Sequence, residues 1–170
     1  MKKSLITLFF FILTLSLYAQ KDNNSLNAGL EVGLPVGVQS NWLSVGLGVT
    51  AKGLYGVGEA GQVSGTLGYI RHGYQGASTV NGGVSMIPIM GGYRHHFESI
   101  YGEAQLGLAI VNSAFRVEGF GASGSTLNGS VAIGGGYLYE DFDFSVRYQS
   151  YGTGFNTLGL RVAYRLPVEF

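Results

Sequence analysis

Eight charged side chains fall among small residues: Glu31, Lys52, Arg94, Glu103, Asp143, Arg147, Arg161 and Arg165. Each sits in a segment where Gly, Ala, Ser or Thr alternates with large apolar residues. An extended chain sends successive side chains to opposite faces. The charges therefore share the small-residue face, and the apolar side chains take the other. Charges withdrawn from water need partners of opposite sign, so the chemistry open to this set is mutual ion pairing. A tight turn after Phe97 sets Arg94 opposite Glu103, an attractive cross-strand pair. The same counting brings Asp143 near Arg165, and Glu31 towards Arg161 if the first and last segments meet. The expected result is a salt-bridged, polar plug. Five cations against three carboxylates leave a narrow, anion-preferring pathway as the alternative.

Other constellations point to less. Gly56-Val-Gly-Glu-Ala-Gly61 matches the dinucleotide glycine pattern but leads into an alternating strand rather than a helix, so it reads as a turn. His95 and His96 are adjacent and must face opposite ways in a strand, which prevents a shared metal ion. His72 and Ser78 form the one Ser–His candidate on the loop side, with no carboxylate close in sequence. No enzyme activity, cofactor or metal site is expected.

Eight segments position these residues by period-two alternation: 27–34, 44–55, 62–69, 87–96, 101–110, 127–137, 142–149 and 158–170. Each approaches the roughly 9–11 residues that a tilted strand needs to cross hydrocarbon. Tight connections around Gly58, Ser99 and Glu140 alternate with longer ones, of which 71–83 and 111–126 are the longest. Short turns on one rim and loops on the other are the layout of a transmembrane barrel. Aromatics collect at both rims, with Tyr55, Phe97, Tyr137, Phe142 and Tyr164 at the turn end and Trp42, Tyr69 and Tyr148 at the loop end. A soluble eight-stranded barrel would put its apolar side chains inside and its charges outside. The expectation is an all-β, eight-stranded, antiparallel up-and-down transmembrane β-barrel.

Composition agrees. Charged residues make up 12% of the 170-residue chain, about half the soluble average of ~25%. Twenty-nine glycines disfavour helices. There is no cysteine, hence no disulfide framework, and no basic patch for nucleic acid. Lys2 and Lys3 precede an apolar run ending near Tyr18-Ala19-Gln20, the form of a secretory signal peptide. Residues 1–19 are read as that signal, cleaved near Ala19/Gln20, and 20–170 as one barrel domain.

The strand 29–35, the 87–97 strand, Tyr101-Gly-Glu-Ala-Gln-Leu-Gly107 and the ending from Leu160 to Phe170 carry a resemblance. The chain resembles the small outer-membrane β-barrel families of Gram-negative bacteria, the OmpX-like and OmpA-transmembrane-like barrels. The likeness implies residence in the outer membrane among its lipids, delivery by periplasmic chaperones and the barrel-assembly machinery, and a monomer. It also implies that Tyr164, Leu166, Val168 and Phe170 form the assembly signal. The fold hosts many activities. The leading expectation is a structural or surface-interaction barrel; a porin-like channel for small solutes or anions is second, and a lipid-modifying enzyme third.

Overall fold

The computed structural model describes residues 24–75, 81–117, 120–152 and 154–168. The signal segment 1–19, Ser78 and Phe170 lie outside the described residues. Among the described residues eight strands form a closed barrel in simple up-and-down order. They are β1 (Ser25–Val36), β2 (Gly46–Val57), β3 (Gly61–Gly73) and β4 (Asn81–Phe97), then β5 (Ile100–Val117), β6 (Phe120–Tyr139), β7 (Phe142–Ser150) and β8 (Asn156–Pro167). Closure runs from Ser25 opposite Pro167 to Val36 opposite Asn156.

The alternation dictates which side chains meet lipid. Leu30, Leu106 and Ile133 point outward and are 69%, 72% and 66% exposed, values that would be penalised in water and are matched by hydrocarbon. Their strand neighbours Glu31, Gln105 and Ala132 are buried in the lumen. Both rings of aromatics are present on the outer face; Tyr137, Phe142 and Tyr164 mark the turn end, and Tyr69 and Tyr148 the loop end. At the turn end, the 98–99 connection has Glu98 at φ 62° and the 140–141 connection has Glu140 at φ 52°. Pro88 sits inside β4, where it interrupts the ladder opposite Gly68 while the register on either side is unchanged. The missing N–H explains the gap.

Two loops expected from the sequence are shorter than expected because strand extends into them. β3 extends to Gly73 and β4 starts at Asn81, leaving only 74–80 of the 71–83 connection. β5 and β6 pair from Ile100–Tyr137 up to Val117–Phe120, so most of 111–126 is a raised β-hairpin. β7 reaches only Ser150, which pairs with Val131. Above that point, residues 120–129 of β6 have no β7 partner among the described residues. The barrel therefore carries a wall, built from the upper parts of β3 to β6, over one side of its outer mouth.

Candidate functional site

The lumen is filled in two layers. Towards the turn end, seven of the eight sequence-predicted charges converge. Asp143 is fully buried on β7, and its Oδ2 accepts from Asn27 Nδ2 (2.9 Å), Arg94 Nη1 (3.1 Å) and Arg161 Nη1 (3.5 Å). The Tyr101 hydroxyl donates to Asp143 Oδ1. The Arg94 guanidinium lies 3.6 Å above the centre of the Tyr101 ring, where the π face favours a cation. Glu103 Oε2 accepts from Lys52 Nζ at 2.6 Å and from Arg94 Nη2 at 3.0 Å. Arg147 Nη2 binds both oxygens of Glu31, at 2.7 and 2.9 Å. Arg161 Nε donates to Thr50 Oγ1 at 2.6 Å.

The expected Arg94–Glu103 pair forms between residues in direct cross-strand register. The other two pairings differ from expectation. Asp143 bonds Arg94 across the lumen and Arg161 diagonally on the neighbouring strand β8, not Arg165. Arg165 lies at the rim, where its Nη2 donates to the Glu140 carbonyl at 3.2 Å. Glu31 does face Arg161 in register, yet its ion pair goes to Arg147. The reason is Gly159, which stands between them on β8: it pairs with Arg147 on one side and Gly33 on the other, and any Cβ there would press on the Glu31 carboxylate. Long side chains in a narrow lumen reach over small residues to the next strand but one. Cross-strand counting sees only nearest neighbours.

Above the charges lies an apolar layer that the sequence reading did not anticipate. Leu43, Val84, Met86, Ala109, Val111 and Tyr151 form one buried cluster, with Tyr74 and Phe155 packed on it. The first outer connection supplies its lid. A short 3₁₀ turn over Gly37–Asn41 folds inward, the Gln39 carbonyl accepts from Leu43 N at 2.8 Å, and Leu43 is left 1% exposed. Gln75 Nε2 donates to the Leu43 carbonyl at 2.8 Å, tying this turn to the end of β3. Trp42 stacks on Tyr74 with ring centres 6.0 Å apart and meets Phe155 edge-on at 5.7 Å. The inward places of Val84, Met86 and Val111 in β4 and β5 were the available signal. They continue the lumen parity through segments that read as loop.

His72 is inside this outer half rather than on a loop. It is fully buried, its Nδ1 lies 3.0 Å from the Ser44 carbonyl, and its ring occupies space left by Gly33 and Gly46. The Ser78 half of that pairing lies outside the described residues. His95 and His96 point to opposite faces as expected: His95 meets Phe97 edge-on outside at 4.8 Å, and His96 Nε2 is 2.7 Å from Gln62 Oε1 inside. The stretch 56–61 is the end of β2, a turn and the start of β3. Tyr164 and Leu166 project outward on β8, 46% and 47% exposed.

No protein-family model and no curated protein sequence matches the chain. Solved structures do resemble it in fold. The attachment invasion locus protein Ail of Yersinia pestis superposes with a TM-score of 0.67 at 15% identity, covering 86% of this chain and all of Ail. The N-terminal β-barrel domain of Pseudomonas aeruginosa OprF gives 0.59 at 15% identity, covering 85% of this chain and 99% of the domain. Neisserial surface protein A gives 0.58 at 14% identity, over 86% and 97%. Fold and exterior together define the chain as an integral membrane β-barrel, similar in fold to small outer-membrane barrels.

Proposed function

We propose that this protein is a sealed outer-membrane barrel with a structural and surface-interaction role, and that it neither conducts nor catalyses. The observation that carries this reading is the double plug. An ion entering from outside meets the Leu43–Met86–Tyr151 layer, where it would exchange its hydration for an apolar lining and the single Tyr151 hydroxyl. Beyond it stands the network of Arg94, Glu103 and Asp143, every member held by a partner. The porin-like alternative needs a continuous wet path through both layers. Against a catalytic role, His72 is sealed beneath the outer loops, where no lipid headgroup reaches it. The raised hairpin and the unpaired flank of β6 support an outward, surface-contact role, since main-chain donors and acceptors on a strand edge are an available docking surface.

The reading includes export by the 1–19 signal, monomeric insertion among outer-membrane lipids, and recognition of Tyr164, Leu166, Val168 and Phe170 by the barrel-assembly machinery. Planar-bilayer recording of the purified, folded protein tests the seal. A silent bilayer over prolonged recording is expected, and reproducible stepwise conductance would overturn the proposal in favour of the channel.

A further inference from the structure

We propose that the lumen holds one small monovalent anion of chloride size, bound between Arg161, Lys52 and Arg147. The argument starts from charge. Among the described residues, the buried lumen charges are Lys52, Arg94, Arg147 and Arg161 against Glu31, Glu103 and Asp143. Arg147 and Glu31 satisfy each other one to one. The remaining three cations share two carboxylates, so one positive charge is left over in the chain Lys52–Glu103–Arg94–Asp143–Arg161. An uncompensated buried charge is costly.

Geometry locates the surplus. Arg94 grips both carboxylates, and Lys52 holds Glu103 at 2.6 Å. Arg161 has the loosest contact of the set, 3.5 Å to Asp143. Its Nη2 is buried without a partner among the described residues, and its side chain is only 4% exposed. Beside it lies a lumen void of about 20 Å³, lined by Lys52, Arg147, Arg161, Tyr101, Gln105 and Glu103. A space of that size admits a single small guest. Three cations and one carboxylate face it, and the guanidinium edge is the unused donor. A water molecule would satisfy the hydrogen bond but leave the charge. A halide satisfies both.

The experiment uses the full-length protein folded into detergent micelles or liposomes. Equilibrium urea titrations are run at fixed ionic strength while chloride replaces gluconate. A halide bound only by the folded state makes the folding constant rise in proportion to chloride once the site saturates, a log–log slope near one. Arg161→Gln leaves the network with two cations and two carboxylates, and its slope should fall to zero. Crystals grown in bromide should show one anomalous peak within hydrogen-bonding distance of Arg161 Nη2. A chloride-independent folding constant, or a bromide-soaked void holding only water, overturns the proposal. So does a stability that tracks pH but not chloride, because the surplus is then removed by proton loss from Lys52. Conductance does not enter any of these readouts, so the sealed-barrel reading and the anion site fail separately.

Discussion

At the level of single residues, small side chains matter as much as charged ones. Glu31 and Arg147 make a buried, balanced pair across Gly159. Glu31→Gln or Arg147→Met alone leaves a charge without its partner in the lumen, and each should cost about 3–5 kcal/mol. Replacing both should cost clearly less than the sum, and urea unfolding in liposomes measures the difference. Additive losses would mean that the pair is wet or unformed. Gly159→Val is the steric counterpart: a branched side chain there meets the Glu31 carboxylate and the Arg147 carbonyl. It should destabilise even though it alters no charge. Gly46, which leaves space for the buried ring of His72, sits under the same constraint in the outer half.

At the level of strands, the facing pattern sets the energetics. Val49, Leu106 and Val146 lie outward and are 56%, 72% and 48% exposed to the lipid side. Arg at any of them should cost roughly 2–4 kcal/mol near the bilayer midplane. Ala132→Ser, on the lumen face one residue from Val131, should cost under about 1 kcal/mol because the hydroxyl enters a polar setting. Equal penalties in the same titration would show the faces to be misassigned. This alternation is what the sequence exposes most directly. Leu, Val, Ile and aromatics recur on one parity and Gly, Ser and charges on the other, so all eight strands and their facing are legible. The upper parts of β5 and β6 are not. In Phe120-Gly-Ala-Ser-Gly-Ser-Thr126 both faces see water, no contrast develops between them, and the stretch reads as loop although it pairs regularly with β5. The Asp143–Arg94 and Glu31–Arg147 pairs were missed for a different reason. Side-chain reach across a closed lumen is a property of the ring of strands, and no single hairpin contains it.

At the level of the whole molecule, the barrel and its raised wall have different duties. The barrel is closed by continuous pairing of β1 with β8 and filled by two packed layers. The tip of the upper hairpin stands clear of both layers and is held from the side by the start of β4, where Asn81–Gly83 pair with Ala114–Arg116; Phe115 and Phe120 meet at 6.0 Å, and residues 120–127 are exposed throughout. Stability should therefore reside in the barrel, with the hairpin adding little. Replacing residues 114–123 by Asn-Gly rejoins Ser113 to Gly124, which already face each other across the β5–β6 ladder, through a two-residue turn that suits the strand twist. The shortened protein should still show heat-modifiable mobility on gels, and its urea midpoint should stay close to that of the intact chain. Any binding of cells, matrix or soluble proteins by the intact chain should drop sharply, because the exposed Phe115–Phe120 contact and the 120–123 part of the unpaired β6 flank are gone. A shortened barrel that no longer folds would show that the wall is part of the core. One that folds and keeps full surface binding would move the contact surface off the hairpin tip, to the retained 124–129 edge of β6 or the Trp42–Tyr74–Phe155 cluster on the other outer connections.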